Sequence, residues 1–471
     1  MLNRANGPVA ALAVALALAL VLAACHQGKG AKPPASEAPA PSTTAPATTL
    51  GGATGAAIEA PWPTYHQNLA RGGVAQGPGT LGTVRRAWTS PQLDGAIYAE
   101  PLIAGGGVVV ATEHDSVYLL EQATGKVAWH RNLGAPVPQS ELPCGNIDPV
   151  GITSTPVVDP ASGLLYVVAL LRPAHHELFA LDLASGAVRF HRDVDPPGSD
   201  ATVQNQRGAL ALSRGRVYIP YGGRFGDCGQ YHGYVVGAPA DTRGGLLVYQ
   251  VPTHREGGIW APSGPSLDAA GALYVSTGNG DSTGSFDFGD SVVKLGADLR
   301  RLDWFAPREW AQLNAADADL GSVGPALLGG QLAFQIGKSG VGYLLRTNHL
   351  GGLGGEAFSA QVCGSAFGGT AWAPPLLYVP CSEGLVALRV DVAAPSFTVA
   401  WRASAASGPP IVAGGAVWSV GGSNLVAFNS AGRVVFQQPI GEAARFATPA
   451  AGDGRVLVAA TNRVVAFAYG G

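Results

Sequence analysis

A motif of four short strands that returns about every 40 residues constrains the fold of this chain more than any other feature. One complete copy runs from Tyr98 to Asn132 and shows no helical periodicity. Its predicted strands are Pro101–Ile103, Val108–Thr112, Ser116–Leu120 and Lys126–His130. Thr124 and Gly125 form the tight turn before the last strand, because glycine adopts a positive φ without steric penalty. A unit this small cannot bury its own apolar residues, so it must stack against similar units.

Later segments repeat the turn and the strand that follows it. They are Leu178–Asp193, Ser291–Pro307, Gly384–Ala403 and Asn424–Gln438. Such repeats are typical of a β-propeller, and we predict an all-β fold with eight blades of four antiparallel strands. The predicted blades begin near Tyr98, Ile152, Gly208, Trp260, Gly321, Gly368, Pro409 and Ala447. The last copy lacks a fourth strand. We expect Leu81–Ser90 to supply it, so that the two ends of the propeller close the ring together.

The composition agrees with strands that are buried on both faces. Charged residues make up 13% of the sequence, well below the roughly 25% of typical soluble domains. The run Val108–Ala111 is apolar on both faces, as expected for a sheet packed between two others. The net charge is only -3 and no basic stripe is present, so we expect no nucleic-acid partner.

Residues 1–25 form a targeting segment that does not belong to the fold. Arg4 precedes the apolar run Val9–Val21, and Leu22–Cys25 resembles the bacterial lipoprotein signal. That resemblance implies cleavage before Cys25, lipid attachment to Cys25, and a mature protein tethered outside the cytoplasmic membrane. Because His26 replaces the aspartate that usually retains lipoproteins at the inner membrane, an outer membrane is favoured if the cell has one. An ordinary signal peptide or single membrane helix is the alternative, although the run is short for a bilayer span.

Two segments follow the targeting segment. Residues 26–60 are rich in Pro, Ala, Ser and Thr, and we predict a disordered tether because they hold too little apolar surface to fold. Residues 61–471 are predicted to form the propeller, and a length of about 410 residues is normal for a single one. We expect a monomer that contacts the membrane through the lipid anchor and other proteins of the cell envelope.

The cysteines indicate an oxidising compartment. Four remain besides the lipidated one, namely Cys144, Cys228, Cys363 and Cys381, and an even number fits two disulfides. The sequence allows three pairings. Proximity favours Cys363 with Cys381, which leaves Cys144 with Cys228. A zinc site is the alternative, but the chain has neither a CxxC pair nor a spaced histidine cluster.

The opening WPTYHQNLARGGV (residues 62–74) and the repeated Thr-Gly turn followed by tryptophan resemble the pyrroloquinoline quinone (PQQ) type of propeller. The resemblance covers nearly all of residues 62–471. That superfamily contains the quinoprotein alcohol dehydrogenases, and it also contains non-enzymatic members such as the lipoprotein propeller of the outer-membrane protein-assembly machinery. The resemblance therefore implies a fold more firmly than it implies an activity.

The resemblance also implies a set of candidate site residues. Trp260 stands where the dehydrogenases have the tryptophan beneath the cofactor, and Asn279 stands where they have a calcium-binding asparagine. Asp317 or Asp319 occupies the place of the catalytic aspartate, and the sequence does not decide between them. Lys338 matches the lysine that contacts the quinone.

These residue types suit quinone chemistry. An aromatic face can stack on a flat tricyclic ring, and calcium prefers carboxylate and amide oxygens and polarises a carbonyl once bound. A nearby carboxylate can accept the proton of a substrate hydroxyl while hydride passes to the quinone, and a lysine can stabilise the developing negative oxygen. Each residue also has a structural interpretation: Trp260 as packing between blades, Asn279 as a turn cap, Asp317 and Asp319 as loop braces, and Lys338 as a hairpin-turn residue.

The chain also departs from the dehydrogenase pattern. Asp227 lies roughly where the calcium-binding glutamate belongs and is one methylene shorter. Cys144 has no adjacent cysteine, and no CxxCH follows to hold a c-type haem. We therefore predict a cell-envelope propeller used for binding or scaffolding, and we keep as the alternative a PQQ- and calcium-dependent dehydrogenase that oxidises an alcohol or sugar. The two are distinguished by whether the candidate residues converge at one end of the ring.

Overall fold

A computed structural model describes residues 57–77, 79–329 and 331–470 of the chain. The predicted signal segment, its lipidation residue Cys25 and the tether up to residue 56 lie outside the described residues. Residues Thr54–Gly471 form one compact unit. No helix in the described ranges is long and apolar enough to cross a membrane.

Blades one to four are antiparallel sheets that follow one another along the chain. Blade one contains Leu102–Ala104, Gly107–Thr112, Ser116–Glu121 and Val127–Asn132, and blade two contains Val157–Asp159, Leu164–Leu171, His175–Asp182 and Val188–Asp193. Blade three contains Ala211–Ser213, Arg216–Gly223, Tyr234–Pro239 and Leu247–Gln250, and blade four contains Ser266–Leu267, Leu273–Ser276, Val292–Leu295 and Arg301–Ala306.

Blades five to eight repeat this plan. Blade five contains Ala326–Leu328, Leu332–Gln335, Val341–Arg346 and Phe358–Gln361, and blade six contains Ala371–Ala373, Leu376–Cys381, Gly384–Asp391 and Ser396–Ala403. Blade seven contains Ile411–Ala413, Ala416–Gly421, Asn424–Phe428 and Val434–Pro439, and blade eight contains Ala450–Gly452, Arg455–Ala460, Arg463–Ala468 and the early strand Arg85–Thr89. The predicted all-β fold with eight four-stranded blades is confirmed.

A few short elements interrupt the repeat. The strand Gln204–Asn205 pairs with the end of the second strand of blade three, and Gly352–Leu353 runs parallel to the outermost strand of blade four. An α-helix at Trp310–Ala315 lies in the connection between blades four and five, and the 3-10 helices are Gln139–Glu141 and Leu320–Ser322. The sequence pattern did not predict this α-helix.

Burial falls from the middle of each blade to its outer edge. In blade one every residue of Gly107–Thr112 is buried, whereas Val127–Asn132 is mostly exposed. The second strand lies within the sheet and is covered by neighbouring blades on both faces, while the fourth strand forms the rim. The apolar runs of the sequence therefore mark the second and third strands of the blades.

Tryptophans from the outermost strands dock one blade onto the next. Trp129 of blade one packs on Gly186 of blade two, which has a φ of 67° and where a β-carbon would lie 2.7 Å from Cε3 of Trp129. The indole N–H of Trp129 donates to the carbonyl of Leu183 at 2.9 Å. The same arrangement joins Trp88 to Gly125 and Trp401 to Gly432. Because Trp88 belongs to Arg85–Thr89, its contact links blade eight to blade one.

Residues 62–75 thread through the ring and hydrogen-bond to all eight blades. Their partners, in blade order, are Ile103, Val158, Leu210, Leu267, Leu327, Trp372, Val412 and Thr448. All of these lie in or just before innermost strands, so the segment occupies the central channel. The buried Arg71 donates from Nε to the carbonyl of Pro265 at 3.0 Å and from Nη2 to that of Leu210 at 3.1 Å. The segment therefore ties the blades together from inside.

Two disulfides are present in the described residues. Cys144 pairs with Cys228 and Cys363 pairs with Cys381, which confirms the pairing favoured by proximity. The first joins the loop after blade one to blade three, and the second closes a short connection between blades five and six. Both fit an oxidising compartment.

Candidate functional site

The fold brings the ends of particular strands to one end of the ring. In an antiparallel blade, the residue before the first strand and the residue after the second strand lie at the same edge. Trp260 precedes the first strand of blade four, and Asn279 follows its second strand. Asp319 and Lys338 hold the corresponding positions in blade five. Four of the residues predicted from the sequence therefore lie at one end of two adjacent blades.

Their side chains form one hydrogen-bonded network. Lys338 Nζ lies 2.6 Å from Oδ1 of Asp317 and 2.6 Å from Oδ2 of Asp319. Asn279 donates from Nδ2 to Oδ1 of Asp317 at 2.9 Å and from its backbone N–H to Oδ1 of Asp319 at 2.8 Å. The ammonium of Lys338 also lies 6.0 Å from the centre of a Trp260 ring. A cation thus joins two carboxylates beside an aromatic face.

Glycines allow this close approach. A β-carbon on Gly278, which precedes Asn279, would collide with Oδ1 of Asp319 and would lie 3.1 Å from Nε1 of Trp260. A β-carbon on Gly337, which precedes Lys338, would collide with the backbone carbonyl of Asp319. The Gly-Asn and Gly-Lys pairs in the sequence therefore mark the points where blades four and five meet.

The two carboxylates differ in environment. Asp319 is buried, while Asp317 is exposed. Burial raises the pKa of Asp319, and attraction to Lys338 offsets this only in part. For Lys338 the balance is reversed: burial opposes its charge, but attraction to Asp319 and hydrogen bonds from Nζ to both carboxylates outweigh burial and raise its pKa. The two shifts therefore differ in cause: desolvation dominates at Asp319, whereas the ion pair dominates at Lys338.

One polar atom in the network has no partner. Oδ1 of Asn279 is buried and accepts no hydrogen bond from any described residue. Such an atom costs free energy unless a ligand or water satisfies it. An amide oxygen is a ligand that calcium accepts, so Asn279 fits the metal-binding role that the resemblance implies.

Asp227 does not join this network. It is exposed, and its Oδ1 accepts a hydrogen bond from the hydroxyl of Tyr231 at 2.6 Å. No hydrogen bond or ion pair links Asp227 to Asn279 or Asp319 among the described residues. In the same ranges, no group of three or more His, Cys, Asp or Glu side chains is arranged to hold a metal ion. The fit to a calcium site is therefore partial: the oxygen of Asn279 suits it, and the metal-binding role of Asp227 stays a prediction.

The sequence did not predict two residues that support the network. Asn314, in the helix Trp310–Ala315, accepts the N–H of Gly280 at 3.0 Å. Asp290 is buried and accepts the N–H of Leu320 at 2.7 Å, and burial raises its pKa. Asp290 stood in an acidic loop with no distinguishing signal, and Asn314 depends on a helix that interrupts the repeat.

Comparison with known proteins gives one family model that matches part of the chain. Residues 80–289 match the family model described as outer membrane protein assembly factor BamB. No curated protein matches the chain. The solved quinohemoprotein alcohol dehydrogenase ADHIIG from Pseudomonas putida HK5 superposes with a TM-score of 0.67 at 16% identity, over 87% of this chain and 80% of that one.

Two further solved structures share the fold. A europium-containing methanol dehydrogenase superposes with a TM-score of 0.63 at 15% identity, over 86% of this chain and 98% of its own. BamB from Moraxella catarrhalis superposes with a TM-score of 0.54 at 13% identity, over 82% of this chain and 98% of its own. At these identities the superpositions show a shared fold only. That fold occurs both in dehydrogenases and in an assembly factor.

Proposed function

We propose that this eight-bladed β-propeller is a dehydrogenase that oxidises the hydroxyl group of an alcohol or sugar with PQQ as the electron acceptor. The observation that carries the proposal is the network of Asn279, Asp317, Asp319 and Lys338 beside Trp260. If these residues lay far apart, each could be explained separately as a packing or turn residue. Their convergence instead favours the enzyme over a propeller used only for scaffolding.

Particular residues would hold the absent groups. The ring of Trp260 would support the flat face of the quinone, and Oδ1 of Asn279 would bind calcium, which would satisfy its unpartnered lone pairs. The quinone, when bound, would supply the acceptor for the two electrons and the hydrogen removed from the substrate carbon. The chain itself must position the substrate hydroxyl and take its proton.

Asp317 is the better placed of the two carboxylates to take that proton. Its Oδ1 is held by Asn279 and Lys338, while its Oδ2 has no partner among the described residues and the side chain is exposed. Asp319 is buried and both of its oxygens are occupied, by the N–H of Asn279 and the ammonium of Lys338. Asp319 is therefore a brace that fixes Asn279 and Lys338, and Asp317 is the general base.

This division predicts different effects of two matched substitutions. Asp317→Asn should lower turnover by about 10²-fold or more, as for loss of a general base, while leaving the affinity for PQQ and the melting temperature nearly unchanged. Asp319→Asn should lower the melting temperature and PQQ affinity together, because it leaves Lys338 with one carboxylate. Turnover with an artificial electron acceptor, calorimetry and thermal melts would distinguish them. The reverse pattern would assign the base to Asp319.

The proposal is tested first by calorimetric titration of PQQ into the purified protein with calcium present. We expect saturable binding that Asn279→Ala weakens at least about tenfold, as for a lost metal-ligand contact. Asn348→Ala is a matched control, because Asn348 is exposed and lies beyond the third strand of blade five, away from the network. The dehydrogenase proposal would be contradicted if Asn279→Ala bound PQQ as tightly as the wild type, or if the folded wild type released no heat on titration with PQQ.

The second candidate is a binding or scaffolding propeller of the cell envelope. The match of residues 80–289 to the BamB model and the position of Asp227 outside the network support it. In either case we propose an extracytoplasmic monomer, tethered through lipidated Cys25 and in contact with other envelope proteins. The two disulfides support that location. Metabolic labelling with a radioactive fatty acid, lost in Cys25→Ser, tests the anchor.

A further inference from the structure

Two acidic residues of blade one are fully buried and carry oxygens without partners. Glu113 and Asp115 flank His114 in the turn between the second and third strands, and they are 1% and 0% exposed. Both carboxylate oxygens of Asp115 and Oε1 of Glu113 are buried without a hydrogen-bond partner among the described residues. Buried carboxylates are normally paired or bound to a metal, so three unpartnered oxygens in one turn require a ligand.

The protein itself satisfies one carboxylate oxygen of this turn. Oε2 of Glu113 accepts the N–H of Gly151 at 2.8 Å and the hydroxyl of Thr153 at 3.1 Å. Both donors belong to the connection between blades one and two. These two bonds place the carboxylate of Glu113 between its own turn and that connection, and they leave its other oxygen and the whole carboxylate of Asp115 unsatisfied.

The charges around the turn do not balance the two acids. Arg207 and Arg224 attract Glu113 and offset its burial in part. The charged groups that act on Asp115 are Glu113 and Asp94, and both are negative. Asp94 has its own partners, since its oxygens accept two side-chain hydroxyls. Neither Glu113 nor Asp115 forms an ion pair with a described residue, so the turn lacks a cation close to Asp115.

The position of Gly151 shows that oxygens of the two acids converge. A β-carbon on Gly151 would lie 2.5 Å from the carbonyl oxygen of Glu113 and 2.7 Å from Oδ1 of Asp115. These two oxygens are therefore no more than about 5 Å apart, a separation that two ligands of one calcium ion can have when each lies 2.3–2.6 Å from it. The carbonyl oxygen of Glu113 accepts no hydrogen bond from a described residue. Because residue 151 is a glycine, no side chain stands between these oxygens.

We propose that Glu113 and Asp115 bind a calcium ion in the turn of blade one. The ligands are Oε1 of Glu113, the carboxylate of Asp115 and the carbonyl oxygen of Glu113, and water completes the shell because no third His, Cys, Asp or Glu of the described ranges joins the pair. Two carboxylates match the charge of a divalent cation. Calcium accepts an irregular set of oxygens, whereas magnesium demands a near-ideal octahedron, so a turn of this kind favours calcium.

This ion is separate from the calcium that Asn279 would bind. The turn belongs to blade one, whereas the network lies on blades four and five. No hydrogen bond or ion pair joins Glu113 or Asp115 to the network among the described residues. The role of the ion is structural, because Oε2 of Glu113 already holds the connection that leads into blade two. The inference therefore does not depend on the dehydrogenase proposal.

Titration of calcium chloride into the Asn279→Ala protein tests the inference without PQQ or turnover, because this background lacks the calcium ligand proposed for the network. The protein is first stripped with EDTA, calorimetry gives the Kd, and thermal melts give the stabilisation. At a calcium concentration of about 100 times the Kd, we expect a melting temperature about 3 °C above that of the metal-free protein. Magnesium chloride at the same concentration should give a smaller rise.

Adding Asp115→Asn to this background removes the charge and keeps the size of the side chain. Calcium binding should weaken at least about tenfold, as for a lost metal-ligand contact. In EDTA the same change should not lower the melting temperature, because the metal-free protein buries an unpaired acid at this position. A lost calcium response therefore reports a lost ligand and not a lost fold. Asp298→Asn is the matched control, because Asp298 is exposed in the turn before the outermost strand of blade four.

Three results would overturn the inference. In the first, calcium stabilises the wild type but not Asn279→Ala, which would place the ion at the network. In the second, the Asn279→Ala protein responds to calcium equally with and without Asp115→Asn. In the third, magnesium stabilises the protein as much as calcium does. Absent PQQ binding would contradict the dehydrogenase and would leave the calcium result unaffected, so the two proposals fail independently.

Discussion

Glu113 provides the sharpest test of the energetics of this fold, because the protein buries this acid and stabilises its charge only in part. Glu113 lies at the end of the second strand of blade one and is 1% exposed. Its Oε2 accepts the N–H of Gly151 at 2.8 Å and the hydroxyl of Thr153 at 3.1 Å. Its Oε1 has no partner among the described residues. Burial raises its pKa from 4.5 to about 7, and these hydrogen bonds, together with attraction to Arg207 and Arg224, offset burial only in part.

A raised carboxyl pKa has a definite effect on stability. Between the unfolded and folded pKa values the native state holds a proton that the unfolded state has lost, so stability is greatest below about 4.5 and declines as the pH rises toward about 7. Each pH unit in that window corresponds to about 1.4 kcal/mol. From about pH 5 to about pH 8, Glu113 should lower the free energy of unfolding by about 2.5 kcal/mol.

Glu113→Gln should remove this loss. The amide keeps an oxygen for Gly151 and Thr153 and, like the protonated acid, places a donor at the position of Oε1. The advantage of the variant over the wild type should therefore grow by about 2.5 kcal/mol between about pH 5 and about pH 8. Urea unfolding followed by tryptophan fluorescence at both values measures the difference, with the exposed Glu442→Gln as control. Parallel pH profiles for wild type and Glu113→Gln would refute the reasoning.

Two further predictions concern packing and covalent links. Gly186→Ala should lower the free energy of unfolding by about 2 kcal/mol more than Gly163→Ala. Both glycines have a positive φ, but only at Gly186 would the β-carbon meet the Trp129 ring. Equal losses in urea unfolding would contradict the docking of Trp129 on Gly186. Replacing the disulfide Cys144–Cys228 with serines should lower the free energy of unfolding by about 1.4 kcal/mol more than replacing Cys363–Cys381, because the sequence separations are 84 and 18. Urea unfolding measures both losses, and a larger loss for the shorter link would contradict an origin in loop entropy.

Much of the fold follows from local signals that the sequence repeats. A Thr-Gly turn, an apolar strand pair and a rim tryptophan recur because every blade must dock on its neighbour in the same way, and Gly186 under Trp129 is one instance. The positions of Trp260, Asn279 and Lys338 could also be predicted, because they flank strands of the repeat. These signals carry over directly from sequence to structure.

Other features depend on contacts that no repeat encodes. The helix Trp310–Ala315 lies in a connection between blades, where the pattern of alternating residues does not apply. Asp227 accepts a hydrogen bond from Tyr231, a local contact that sequence similarity could not reveal. Phe367, just before blade six, stacks on Phe446, just before blade eight, and contacts across a ring leave no periodic trace in the chain.

Two segments that hold the ring closed explain how the candidate site can keep residues that destabilise the fold. Residues 62–75 bond to every blade from the channel, and Arg85–Thr89 completes the last sheet through Trp88 and its partners. Neither tie uses a side chain of the network. The unpartnered oxygen of Asn279, the unpartnered Nε of Arg207 and the positive φ of Phe446 are therefore carried by a framework whose stability is secured elsewhere. In a framework of this kind, residues at the open end of the ring are free to be chosen for a ligand rather than for the fold.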